Sequence, residues 1–197
     1  LYSNIYCNYV CSLFIFIGVM KVLKVIPTLD DNRLYQLFLN ALKLKDTEKE
    51  DEANLVLNGI QKEWKRRKEA FVEGKYKSSL PKTGMLATLG YHVGETHGVK
   101  KKFRQEILKY IVTEELPLVQ SPAYTLEWGE KNTCKRLKKL SNSLSSFIYD
   151  AQQGYKAKSN FDMAIMDWSD DLEFLKENFY ARLNCNYDWP NIIIKND

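Results

Sequence analysis

The feature that most constrains this chain is an apolar stripe near its C-terminal end. Phe161, Ile165, Trp168, Leu172, Leu175 and Phe179 follow one another in alternating steps of four and three. That spacing keeps all six on one face of a 3.6-residue helix, whereas in a strand they would scatter over both faces. The same period recurs upstream in Leu34, Leu37, Phe38, Ala41 and Leu42, then in Ala53, Val56, Leu57, Ile60 and Trp64. It returns in Phe103, Ile107, Leu108 and Ile111, and again in Leu137, Leu140, Leu144, Phe147, Ile148 and Ala151. The pattern predicts a mainly α fold, a compact array of five or six helices with one irregular Gly-rich loop region.

Start and stop residues place the helix ends. Thr28 or Asp30 can cap the first helix, and Thr47 with Glu50 reads as a capping box for the second, which runs to about Phe71. Pro81, Gly84, Gly90, Gly94 and Gly98 punctuate the irregular region, leaving a short helix at Met85–Leu89 and an extended Tyr91–Val93. A third long helix is expected from about Val99 to Glu115, stopping before Pro117. Ser121-Pro122 opens a short helix that Gly129 ends, and Asn132 or Thr133 caps the next. Ser159 with Asp162 repeats the capping-box pattern ahead of the last helix.

Composition narrows the class. The 197 residues are 45% hydrophobic, 27% charged and 13% aromatic, which suits a packed domain and excludes a disordered tail. Residues 20–183 read as a single helical domain and 184–197 as a weakly patterned tail, in which Ile192–Ile194 is either a docked strand or an untidy end. Residues 1–19 carry no charge. They lack the basic flank of a signal peptide and are short for a membrane helix. The expectation is an upstream extension, with Met20 starting the functional chain; a membrane anchor over Ile5–Met20 is the alternative, and a packed strand or helix the third reading. Cys134 and Cys185 lie far apart in sequence, so reduced thiols in a reducing, cytoplasmic setting are expected. No cofactor and no metal are expected from four cysteines and two histidines.

Charge is uneven along a chain whose formal net charge is only +4. From Lys62 to Lys82 there are eight basic residues against three acidic, and from Ser159 to Glu177 six acidic against Lys176 alone. Two further basic clusters, Lys100, Lys101, Lys102 and Arg104, then Lys135, Arg136, Lys138 and Lys139, fall in the first turns of predicted helices. Cations there oppose the helix dipole unless an anion compensates. That misfit points to phosphate, so these eight residues are the candidate nucleic-acid contacts.

Catalytic signals are weaker. Gly94-Glu95-Thr96-His97-Gly98-Val99-Lys100 has three residues between its glycines where a nucleotide loop needs four, and no hydroxyl follows Lys100. Two readings of this stretch survive that test: a solvated loop and helix start, or a simpler anion site made by the helix amides near Val99 with Lys100, Lys101 and Lys102. His92, Glu95 and His97 could perform acid–base chemistry, because a carboxylate can tune an imidazole near neutral pH. Asp167, Asp170 and Asp171 read as the solvated face of the last helix.

Leu89-Gly90-Tyr91-His92-Val93-Gly94, Glu115-Leu116-Pro117, Glu127-Trp128-Gly129 and Arg136-Leu137-Lys138-Lys139-Leu140 together resemble a small helical domain found in many uncharacterised bacterial proteins. The resemblance covers roughly Thr83 to Tyr180 and implies no activity and no site residues. The sequence therefore predicts a non-enzymatic helical module that binds nucleic acid or another polyanion, or docks on a protein partner that processes nucleic acid. Two alternatives stand beside it: an enzyme or nuclease accessory using His92, Glu95 and His97, and a membrane-tethered interaction protein.

Overall fold

The computed structural model describes residues 18–45, 47–80, 82–153 and 161–191. Among them there is no strand, and the chain is all-α, with more helices than the five or six expected. None of their helices is long and apolar enough to cross a membrane. The anchor reading falls almost wholly on residues 1–17, outside the described residues, as do Ser159 of the second capping box and Ile192–Ile194. The sequence suggests one domain over 20–183; the chain contacts form two compact units, 1–80 and 81–197.

In the first unit, residues 18–25 are helical and lead through a single turn, Ile26–Thr28, into α1 (Asp31–Leu44) and α2 (Glu50–Val72). Asp30 caps α1, its Oδ1 accepting from the Arg33 amide at 2.8 Å. The predicted capping box does not form. Thr47 Oγ1 donates to the Leu44 carbonyl at 2.7 Å and closes the preceding helix end, so α2 starts at Glu50 with no side-chain cap. Phe38 and Trp64 meet between α1 and α2, with ring centroids 5.1 Å apart. A Cβ on Gly59 would lie 2.8 Å from side-chain carbons of both Leu23 and Ile26, so the glycine allows their close approach.

A buried polar knot holds the ends of α1 and α2. Arg67 donates to Glu63 at 2.6 Å, Asp31 at 2.9 Å and the Leu29 carbonyl at 2.6 Å, while Tyr76 and the Ser79 amide donate to the same Asp31. Each ion is paired several times over, which is what allows charges to stay buried.

The second unit contains α3 (Met85–Thr88), α4 (Lys101–Thr113), α5 (Pro122–Trp128), α6 (Cys134–Gln153) and α7 (Asp162–Leu175). A π-helical turn, Lys176–Tyr180, prolongs α7 and carries the predicted stripe to a buried Phe179, while its first residue, Phe161, precedes the helix and is exposed. Ser121 and Thr133 cap as expected, accepting from the amides of Tyr124 and Arg136. Helix α7 packs along α6 and also against α4, and α5 packs on α6. Ile107, Leu108, Ile111, Leu137, Leu140, Leu144, Ile148, Leu172, Leu175 and Phe179 are buried and belong to its core. Tyr91–Val93 is irregular rather than strand.

The tail is the largest departure from expectation. Cys134 and Cys185 are joined by a disulfide, with Cα atoms 5.4 Å apart. Tyr180, Tyr187 and Trp189 form a ring cluster with centroids 5.2–6.0 Å apart. Sequence separation of 51 residues hid the pair, since only the fold brings the α6 start beside the chain after α7.

Candidate functional site

The basic residues singled out in the sequence do not form one free patch. Arg104, from the first turn of α4, is buried: Nε donates to Asp171 Oδ2 at 2.8 Å, and Nη1 donates to the Val99 carbonyl at 3.0 Å. Its Nη2 lies 2.9 Å from Asp167 Oδ1. The Tyr91 hydroxyl also donates to Asp171 Oδ2, at 2.7 Å. Asp171 is fully buried and Asp167 largely so, which corrects the reading of this aspartate set as a solvated face. Only Asp170 is exposed, and it pairs with Lys101 at 2.8 Å.

This arrangement resolves the dipole misfit at α4. The compensating anions are carboxylates of α7, so the helix start needs no external phosphate. The glycine loop follows the same logic: the Gly94 amide donates to Asp167 Oδ2 at 3.0 Å, and the Val99 and Gly98 amides return to the His92 and Gly94 carbonyls. The carboxylate beside this loop is Asp167, and it meets the Gly94 amide rather than the amide of Val99. Burial pushes the Asp171 carboxyl up, against the opposing pull of Tyr91 and Arg104, and burial beside Asp171 raises the Tyr91 phenol.

The second cluster divides in the same way. Arg136 is 1% exposed and donates to the carbonyls of Ile111, Glu114 and Gly129 at 3.3, 2.5 and 2.6 Å. Burial draws its pKa down to about 10, so it remains a cation at neutral pH. It ties the end of α4, the end of α5 and the start of α6 together by closing orphan carbonyls. Lys135 Nζ donates to the Leu126 carbonyl at 3.0 Å, Lys139 pairs with Glu127 at 2.7 Å, and Lys138 Nζ sits 5.5 Å from the Tyr187 ring centroid. Arg104 and Arg136 therefore cannot act as polyanion contacts. Lys100, at the N-cap of α4, and Lys102, in its first turn, are exposed.

His92, Glu95 and His97 are all exposed on the loop before α4. Among the described residues no three metal-ligating side chains come together. The loop presents the Gly94 amide to Asp167.

No family model matches this chain, and no curated protein or solved structure does.

What the sequence reading missed is the outward face of α7. Met163 and Met166 are 51% and 61% exposed, whereas Leu172, Leu175 and Phe179 on the core-facing stripe are buried. At 100° per residue they share the side opposite Leu172 and Leu175 with Asp162, Asp170 and Glu173, all exposed. Attention to the apolar stripe concealed it, because methionines between stripe positions look like helix filler. A two-methionine, three-carboxylate face was nonetheless legible in the spacing of 162, 163, 166, 170 and 173.

Proposed function

We propose that this chain is a non-enzymatic helical docking module whose partner is a protein segment rather than a nucleic acid. The observation that carries this reading is the exposed Met163–Met166 pair set among Asp162, Asp170 and Glu173 on α7. Methionine is flexible and polarizable and adapts to the shape of an incoming apolar stripe, while the carboxylates select a cationic rim. The chemistry fits a basic amphipathic helix laid against α7. The surface ion pair of Lys101 with Asp170 supports this, since an arriving lysine or arginine can replace an exposed partner at little cost. Binding duplex or single-stranded nucleic acid directly is disfavoured by the commitment of Arg104 and Arg136 to the interior.

The test is titration of the full chain with a 20-residue model helix made of leucine and lysine, followed by calorimetry. Saturable binding is expected, weakened at least tenfold by the paired change M163S and M166S, which removes the apolar contact without adding charge. Both sites are exposed, so the melting curve should not move. Binding that survives the double change, or equal binding to a 20-base-pair DNA duplex at 150 mM salt, overturns the reading.

A further inference from the structure

We propose that Cys134–Cys185 is an exchangeable disulfide, a site of thiol–disulfide exchange with a dithiol reductant, and that its reduction releases the 185–191 strap from α6. The argument starts from where Cys134 sits. It is the first residue of α6, a helix of 20 residues capped by Thr133, with Lys135 and Lys138 in the turns that follow. Unpaired amides and the positive dipole end favour a thiolate there. A sulfur that leaves as a stabilised thiolate leaves faster, so attack on Cys185 with departure of Cys134 is the favoured direction. Both cysteines are half-buried rather than sealed in the core, which gives a reductant access.

The second observation is how the strap is held. Up to Cys185 the backbone is tied back by amide bonds to Phe179, Tyr180 and Ala181. Beyond it the described attachments come from side chains. The Tyr187 ring lies by Lys138, its hydroxyl is 3.4 Å from Ser141 Oγ, the Tyr180 hydroxyl donates to the Tyr187 carbonyl, and Trp189 stacks on Tyr187. The disulfide is the covalent link that anchors this aromatic strap over the Lys138–Ser141 stretch of α6. Ser141 is fully buried, so the strap covers surface that its departure exposes.

The exchange balances. A thiolate of the dithiol attacks Cys185 Sγ, the Cys134–Cys185 bond breaks, and its electron pair leaves on Cys134 Sγ. The reductant's second thiol gives its proton to Cys185 as it attacks the mixed disulfide, so the dithiol ends as a cyclic disulfide. The protein ends with a thiolate at Cys134 and a thiol at Cys185.

The experiment uses the full chain with C7S and C11S, so that only this pair reacts, and dithiothreitol as the dithiol. In that background, Cys134 in the C185S variant should react with iodoacetamide at pH 7 at least tenfold faster than Cys185 in the C134S variant. Reduction without denaturant should speed chymotryptic cleavage after Tyr187 at least tenfold and leave the helical circular dichroism in place. Equal alkylation rates, a bond that resists dithiothreitol until the protein is unfolded, or unchanged cleavage after Tyr187 each overturn the proposal. Loss of helical signal on reduction also overturns it, by making the bond a structural staple.

Discussion

Replacing Arg104 by Met tests whether the basic start of α4 is there for the fold or for a ligand. In the folded protein Arg104 is the only described cation paired directly with Asp171, a carboxylate of zero exposure, and it also sits 2.9 Å from Asp167. Methionine preserves the length of the stem but leaves Asp171 with the Tyr91 hydroxyl alone. Stranding one member of a buried pair costs about 3–5 kcal/mol. For a chain of this size that corresponds to roughly 10 °C in melting temperature. Burial already raises the Asp171 pKa, so the variant can recover stability by protonating it, and the deficit should shrink as the pH falls toward 5. The double variant R104M and D171L removes both charges, and it should lie within about 2 kcal/mol of the parent. Urea denaturation at pH 7 and pH 5, followed by far-ultraviolet circular dichroism, measures all three. A loss below about 0.5 kcal/mol for R104M at pH 7, the range of an ordinary surface change, would refute the structural role of this arginine.

Two further outcomes follow from the same packing. A Cβ on Gly98 would fall 2.1 Å from the Gly94 carbonyl oxygen, a backbone atom that cannot swing away, so Gly98→Ala should open the loop. The expected cost is about 1–3 kcal/mol, read as a lower urea midpoint, and an unchanged midpoint would show that the loop closure between Gly94 and Gly98 is unimportant. In the first unit, Glu63 has its pKa lowered: burial acts to raise it, but hydrogen bonds from Arg66 and Arg67 win. A depressed folded value means that its contribution is present above the unfolded carboxylate range, near about 4.3, and is lost as the pH falls through the folded value. Glu63→Gln should therefore lower stability at pH 7 and flatten the acid limb of Trp64 fluorescence; an acid limb identical to the parent's would count against the Arg67 knot.

Much of the local structure was legible because helices are decided by neighbours in sequence. The stripes of α1, α2, α6 and α7 follow from apolar spacing, and Asp30, Ser121 and Thr133 act within three residues of themselves. Thr47 shows the limit: a hydroxyl near a helix start can serve the preceding carbonyl just as well, and spacing does not choose. For the glycine loop the sequence leaves open a solvated turn or an anion site at the amides near Val99. The structure instead sets the Gly94 amide on Asp167, 73 residues onward, and the Val99 amide on the His92 carbonyl.

By itself, then, the sequence determined an all-α chain, most helix boundaries, and the tension between cations and helix dipoles at the starts of α4 and α6. Tertiary structure alone decided how that tension is relieved. Arg104, Asp171 and Asp167 carry charges whose meaning depends on distance, and a Coulomb interaction between residues 60 or 70 positions apart leaves no periodic trace in the chain. The Cys134–Cys185 bond is the same case in covalent form, since two thiols can join only after α6 and the segment beyond α7 have packed to bring their Cα atoms within 5.4 Å.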